Sequence, residues 1–344
     1  MELSSLVRKN ILDMTPYASA RSEFNGLAEV FLDANENPFD TTFNRYPDPL
    51  QKKLKKKIAF EKQVKPSQIF LGNGSDEAID LLIRIFCEPK KDHILTLPPT
   101  YGMYKVSAAL SDIAIVNIPL KSDFIVDTES VLAKANKHSK LLFICSPNNP
   151  TGNDIPLEQI KIILTSFKGI VVVDEAYIDF SEQNSCTNLL ADYPNLIVLQ
   201  TFSKAWGLAG IRLGMAFANV DIIALFNKVK PPYNINQLTQ SAALAALDNA
   251  NEKEANVQSV LQQRDYLRAH LSTFSFVKKI YPSDANFLLI KMDDPLAVYH
   301  FLLEKNIIVR DRSTTYGCEG CLRITIGTPT ENERLIRALS NFKK

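Results

Sequence analysis

A chain of 344 residues with 46% hydrophobic content carries enough apolar material for a sizeable core and, by length, for two domains. Lys and Arg number 39 against 38 Asp and Glu, a formal charge of +1, so no overall field draws the chain to nucleic acid or to an anionic membrane, and small molecules are the expected partners. Five cysteines, an odd count, imply free thiols in a reducing compartment. The start MELSSLVRKN lacks a basic-then-apolar signal pattern and no apolar run is long enough to span a bilayer, so a cytoplasmic location is expected.

In chain order, residues 1–27 read as an N-terminal arm with Leu3, Leu6 and Val7 at helical spacing. A short strand is expected at 30–32, before the turn-forming FLDANENPFD and RYPDP. Tyr46, between Arg45 and Pro47, lies where apolar periodicity is weak; it should be exposed on its own protomer and free to reach a neighbour. Leu50, Leu54 and Ile58 mark a helix with a solvated lysine face. From Ile69 the pattern becomes alternating apolar runs and amphipathic segments, the signature of an α/β layer. Its first strand enters Gly72-Asn73-Gly74-Ser75, with Asp76 opening a helix. Such a turn offers backbone N–H groups and a positive dipole end to an anion. It is neither a P-loop nor a GxGxxG turn. Further strands are expected at 93–97, 113–118, 141–144, 170–173, 196–199 and 215–217. A long helix from Gln237, broken once at most, should lead into a second unit with strands at 276–280, 287–290, 307–309 and 322–326 and helices at 295–305 and 330–342.

In open sheets of this kind ligands bind beyond the carboxyl ends of the strands, which directs attention to the polar residues that follow each run. Tyr101, in PPTYGMY, can stack on a planar ring. Asn149 lies in the turn-forming SPNNPTG. Asp174 follows three valines, so its carboxylate is desolvated and needs a partner, for which a cationic pyridinium nitrogen is suitable. Tyr177 can turn its hydroxyl towards the same ring, whereas Glu175 and Asp179 should point elsewhere. In TFSKAWGLAGIRLG, Lys204 emerges after a buried apolar run that lowers its pKa, with Ser203 beside it and Arg212 eight positions on. That set suits a Schiff base with an aldehyde cofactor whose phosphate needs hydroxyl and guanidinium donors, a description met by pyridoxal phosphate. Arg310 ends one small-unit strand and Arg323 lies inside another. Taken singly, each residue has a plainer reading: Lys204 as a solvated loop lysine, SPNNPTG as a surface loop, Asp174 in a structural ion pair, Arg323 on an exposed edge. The CxxC of Cys318 and Cys321 lacks a second ligand pair, and histidines 93, 138, 270 and 300 show neither metal-ligand spacing nor a serine–histidine–aspartate arrangement. No metal site is expected.

Together, Asn149, Asp174 with Tyr177, Ser203-Lys204, Arg212 and Arg323, in this order and spacing, resemble the fold-type I pyridoxal phosphate aminotransferases over nearly the whole chain. TFSKAWGLAG is similar to the lysine signature of the branch of that family that includes histidinol-phosphate aminotransferase, with LDANENP, RYPDP, GNGSDEAI and IIVRD in corresponding places. The resemblance implies a large α/β domain (28–240), its mostly parallel seven-stranded sheet flanked by helices, and a small C-terminal α+β domain (241–344). It implies that Lys204 binds the cofactor covalently, that Asp174 pairs with the ring nitrogen, that Asn149 and Tyr177 contact the phenolic oxygen and that Tyr101 stacks on the ring. Gly74, Ser75, Ser203 and Arg212 are implied at the cofactor phosphate, with Tyr46 reaching it from the other protomer of a homodimer, and Asp76 is implied among the cofactor-binding residues. Tyr17, Arg310 and Arg323 are implied to face substrate, close to Asn149. Arg323 with Arg310 would hold the phosphate of histidinol phosphate, and Arg323 the α-carboxylate of glutamate in the other half-reaction. Within the same resemblance, a threonine-phosphate decarboxylase and an aromatic amino-acid aminotransferase compete as activities, and a non-enzymatic regulator competes as a class.

Overall fold

The computed structural model describes residues 2–17 and 29–343, so 18–27 of the expected arm lie outside the described residues. A seven-stranded sheet runs in the order β1-β7-β6-β5-β4-β2-β3, where β1 is Ile69–Asn73, β2 His93–Thr96, β3 Ala114–Asn117, β4 Ser139–Cys145, β5 Ile170–Asp174, β6 Leu196–Thr201 and β7 Leu213–Ala218. The ladders linking β3, β2, β4, β5 and β6 are parallel, whereas β7 is antiparallel to both of its neighbours, β6 and β1.

The central strands read as continuous apolar runs because both of their faces are covered. Along β5, Val171 and Val173 enter one apolar cluster and Ile170 and Val172 the other; along β6, Leu196 and Val198 divide from Ile197 and Leu199 in the same way. This alternation follows from the two-residue period of a strand. The helix Gly74–Phe86 covers one face and buries Ile79, Leu82, Ile83 and Phe86 there. Of the described arm, Val7 and Ile11 pack onto the same cluster, and Arg8 pairs with Glu88 at 3.1 Å.

A second, antiparallel sheet runs β10-β11-β9-β8, with β8 at Val277–Ile280, β9 at Phe287–Met292, β10 at Arg310–Asp311 and β11 at Cys321–Thr325. The helices Ala250–Leu271 and Pro329–Leu339 contribute to its core through Leu267, Leu271, Leu335 and Leu339. The latter starts on a capping box, in which Thr328 and Glu331 satisfy each other's backbone N–H, with Pro329 in its first turn. The expected long helix is two, Gln237–Asp248 and Ala250–Leu271, broken at Asn249.

Three expected elements differ. Residues 30–32 form no strand; Val30 is 73% and Leu32 89% exposed, and among the described residues neither belongs to a sheet ladder. Residues 307–309 are also irregular, because pairing with β11 begins only at Arg310, opposite Arg323. The helix after β1 opens at Gly74, placing Asp76 inside its first turn.

Candidate active site

The carboxyl ends of β2, β4, β5 and β6 converge on a cavity of ≈ 590 Å³, open to solvent on one side, lined in part by Tyr101, Asn149, Asp174, Tyr177 and Lys204. One strand end each delivers these groups: Tyr101 after β2, Asn149 after β4, Asp174 and Tyr177 at and after β5, Lys204 after β6. β1 runs the same way as β6, since both are antiparallel to β7, so its Gly-rich end arrives at the cavity too. The reversed β7 begins there, and Arg212 precedes its first residue.

That reversal builds the anion cradle. The N–H of Gly74 donates to the carbonyl of Arg212 at 2.8 Å, and Leu213 and Gly214 lie opposite Asn73 and Gly72. Gly74 has φ +73°, and a Cβ there would come within 2.7 Å of Arg212 Nη2. At Gly214 a Cβ would sit 2.1 Å from Ser75 N and 2.2 Å from the Gly74 carbonyl carbon, so no side chain fits. Arg212 adopts the left-handed backbone region at φ 53° and turns its guanidinium back to Asp76, 3.4 Å away. Because the Asp76 carboxylate also accepts from the Tyr101 hydroxyl at 3.0 Å, what this first helical turn offers an anion is its backbone N–H groups. Ser203 lies on the same cavity wall, its hydroxyl accepting from Thr201 Oγ1 at 3.0 Å.

Asp174 is 2% exposed. Its Oδ2 accepts from the Tyr104 hydroxyl at 2.7 Å and its Oδ1 from the Ala176 N–H at 3.2 Å, and among the described residues no cation pairs with it. Burial pushes its pKa up to about 6, against the partial relief of those two hydrogen bonds. A structural ion pair for Asp174 is therefore not what the chain contains. A buried carboxylate lacking a cation, in a cavity with an anion cradle at one side and an amine at the other, fits a planar ring with a cationic nitrogen and a phosphate arm. Glu175 and Asp179 do point elsewhere: Glu175 accepts from Ser185, Gln200 and the Cys186 N–H, and Asp179 pairs with Lys62 and Lys253.

The Lys204 side chain reaches the cavity from its solvent-open side, with Nζ 5.5 Å from the centre of the Tyr177 ring. Partial burial, and then the positive charge of Arg323, hold its pKa below the usual lysine value, which enriches the neutral amine. Asn149 links two groups: its Nδ2 donates to the Tyr177 hydroxyl at 3.4 Å, and its Oδ1 accepts from Arg323 Nη1. Tyr177 is buried, which raises its pKa. Arg323 comes from β11 of the second sheet and lies with its guanidinium carbon 5.1 Å from the Phe287 ring centre, a contact worth about 0.5–2 kcal/mol. The two sheets are stitched at this point. Asp284 N–H donates to the Gly152 carbonyl at 2.7 Å, Asp154 N–H donates to Asp284 Oδ2 at 2.9 Å, and Gly152, at φ +90°, leaves room for Ser283.

Arg310 is exposed, directly across from Arg323. Four expected residues do not line the cavity of their own chain: Arg323 meets its wall through Asn149, Arg310 lies across from Arg323 on the exposed side, and Tyr46 and Tyr17 lie away from it. Tyr46 is half exposed and stacks on Tyr233 with ring centres 4.4 Å apart, and Tyr17 is 77% exposed beyond the helix Lys9–Asp13. Sequence reasoning missed Tyr104 and Gly214. Tyr104 follows Tyr101 by three residues on the next helix, but nothing in the sequence ties it to Asp174. Among the described residues no group of His, Cys, Asp and Glu could hold a metal ion, and no helix is long and apolar enough to cross a membrane.

Residues 21–339 match the family of class I and II aminotransferases, and the chain belongs to that family. A histidinol-phosphate aminotransferase from Cytophaga hutchinsonii is 53% identical over 344 residues, covering 99% of each chain. Among solved structures, the histidinol-phosphate aminotransferase from Clostridium acetobutylicum superposes with a TM-score of 0.80 at 27% identity, over 87% of this chain and 90% of that one. The enzyme of that name from Sinorhizobium meliloti, solved in complex with pyridoxal-5'-phosphate, shares the fold with a TM-score of 0.80 at 24% identity, over 86% of this chain and 82% of that one.

Proposed function

We propose that this aminotransferase, with pyridoxal 5'-phosphate as cofactor, moves an amino group reversibly between the pair L-histidinol phosphate and imidazole acetol phosphate and the pair glutamate and 2-oxoglutarate, a step of L-histidine biosynthesis whose net flow is towards histidinol phosphate. The observation that carries the cofactor assignment is the buried, cation-free Asp174 in a cavity that also holds the Lys204 amine. The substrate assignment rests on the named relatives and on the arginines of the second sheet. When bound, the cofactor supplies an aldehyde that takes up the amino group and a cationic ring that accepts electron density from the substrate carbon. Asp174 holds the proton on the ring nitrogen, and Tyr104 and the Ala176 N–H keep that carboxylate oriented. Ser75, Ser203, Arg212 and the backbone of Gly74 and Asp76 would hold the phosphate, Tyr101 would cover the ring, and Asn149 and Tyr177 would serve its phenolic oxygen. Lys204 would hold the cofactor's aldehyde carbon through its amine and, once free, would carry the proton from the substrate carbon that bore the amine. Arg310 and Arg323 hold the phosphate monoester, and Arg323 the glutamate α-carboxylate.

The test is a steady-state comparison of the unmodified enzyme with histidinol phosphate and with histidinol, using 2-oxoglutarate as acceptor. Histidinol phosphate should prevail by orders of magnitude in kcat/KM. Equal use of the two would overturn the substrate and leave the cofactor chemistry standing, while carbon dioxide release from a phosphorylated amino acid without glutamate formation would favour a decarboxylase.

The active assembly is a two-fold homodimer in which Tyr46 of each protomer completes the neighbour's site. Phe39, Phe43, Tyr46 and Leu238 are 77%, 58%, 50% and 64% exposed, an apolar surface that a second copy would cover, and closed isologous pairs are the commonest oligomers. Mixing Lys204→Ala with Tyr46→Phe protein tests this. In the hybrid, one site carries both defects and the other neither, so activity should rise above that of either parent; verified subunit exchange without recovery would count against the shared site. We also take the chain to divide into a large unit (28–240) and a small one (241–344), since each sheet has its own apolar core, and we place it in the cytoplasm, where its five free, buried cysteines stay reduced.

A further inference from the structure

The strand pairing that sets Arg310 against Arg323 brings in a third guanidinium. Arg312 N–H donates to the Cys321 carbonyl at 3.0 Å, which continues the β10–β11 ladder one residue past Asp311. Side chains on a strand alternate, so Arg310 and Arg312 share a face, and their cross-strand neighbours Arg323 and Cys321 share it with them. Leu322 and Ile324 belong to the opposite face, within the core of the second sheet. The face that carries the arginines is the one turned to the cavity, since Arg323 donates to Asn149 there. Asp311, between the two arginines in sequence, accepts from the Ser313 N–H and does not neutralise them. Arg312 is half-buried, and its Nε is buried with no hydrogen-bond partner, as is Arg323 Nε. Among the described residues no carboxylate pairs with Arg310, Arg312 or Arg323. Arg310 stands directly opposite Arg323, where paired residues are about 4.5–5.5 Å apart at Cβ, and Arg312 lies diagonally at about 7–8 Å, so the three like charges repel one another, and the partial burial of Arg312 and Arg323 adds a desolvation cost. The arrangement persists in a folded chain at the expense of stability, which is the signature of a site built for a multiply charged anion.

We propose that Arg312 is a specificity-determining residue that, with Arg310 and Arg323, forms a three-guanidinium clamp for the phosphate monoester of the amino donor. The inference rests on the substrate reading given above and sharpens it. A phosphate dianion presents enough acceptor oxygens for three guanidinium groups, whereas the single α-carboxylate of glutamate is served by one fork. Arg310 and Arg312 together supply the two positive charges that offset the dianion. Arg323 is thereby left able to serve both donors in turn. Consistent with that crowding, desolvation first and then the charges of Arg323 and Arg310 lower the Arg312 pKa, and Tyr177 is close enough to act on it.

The experiment uses the holoenzyme with Arg312→Gln and Arg312→Lys. It measures kcat/KM for histidinol phosphate and for glutamate, and calorimetric affinity for an imidazolyl-alkyl phosphate that carries no amine. Losing one charge-assisted contact should cost Arg312→Gln on the order of 10–100-fold in affinity for the phosphate ester, and in kcat/KM for the phosphorylated donor through KM rather than kcat. The loss for glutamate should be at least about tenfold smaller, and Arg312→Lys should recover part of the affinity because it keeps the charge without the fork. An unmodified enzyme that does not distinguish histidinol phosphate from histidinol overturns the substrate reading and this inference with it. One that does distinguish them, while Arg312→Gln loses no affinity for the ester or loses equally for both donors, overturns this inference alone.

Discussion

Lys204→Ala should abolish turnover. Lys204 is the one lysine among the described residues that lines the cavity, and in the proposed mechanism the substitution removes both the cofactor's covalent anchor and the proton carrier. Proton transfer by a positioned group is alone worth about 10²–10⁴-fold. The substitution should leave folding largely intact, since Lys204 is exposed on the open side of the cavity and fills no core. Borohydride treatment of unmodified protein should fix the cofactor to the chain, with the adduct recovered on the peptide that contains Lys204, and Lys204→Ala should show no such adduct. A variant with near-normal kcat would sink the assignment.

Arg323→Ala should impair both half-reactions. Truncating one member of a buried charged pair with its ligand costs about 2–5 kcal/mol, which is about 30-fold to several thousand-fold in kcat/KM for histidinol phosphate. Glutamate should suffer as well, because its α-carboxylate loses its clamp. Arg310→Ala should spare glutamate more, and its effect on the phosphorylated donor should fall towards the lower end of that range because Arg310 is exposed. A second readout follows from charge. Arg323 helps hold the Lys204 pKa down, so removing it lets that pKa rise, and less neutral amine remains at a given pH. In cofactor-free protein, where Lys204 is a free amine, the pH dependence of its reaction with the cofactor aldehyde should therefore move to higher pH in Arg323→Ala. An unshifted profile, or a loss confined to one donor, would contradict the placement of Arg323 between the two roles.

Much of the site was legible because strand periodicity and sheet topology do the placing. A parallel sheet puts whatever follows each buried run at one edge, so Tyr101, Asn149, Asp174 and Lys204 could be read together from the positions of the apolar runs. The same logic placed the turn at Gly72 to Ser75 at the cavity, where it opens a helix whose first-turn N–H groups face the space. It failed where local pattern had no tertiary partner. Val30 and Leu32 are strand-like in composition, yet among the described residues no sheet edge receives them, and backbone pairing is what makes a strand.

Sequence alone, then, determined the α/β class, the strand ends that carry chemistry, and the residue types that suit an aldehyde cofactor with a phosphate. Each follows from short-range regularities: the two-residue period, the glycine-rich turn, and a carboxylate or lysine next to an apolar run. Only the tertiary structure decided that β7 runs backwards, which brings Gly214 against Gly74 and Ser75 and aims Arg212 into the cradle. Only it showed Asp174 held by Tyr104 instead of by a cation, and Arg312 aligned with Arg310 and Arg323. Those facts depend on strand direction, on register, and on which segments meet across 70 or more positions of chain, as Tyr104 and Asp174 do. Local sequence preference carries no information about such distant encounters, because packing and hydrogen bonding between whole elements settle them.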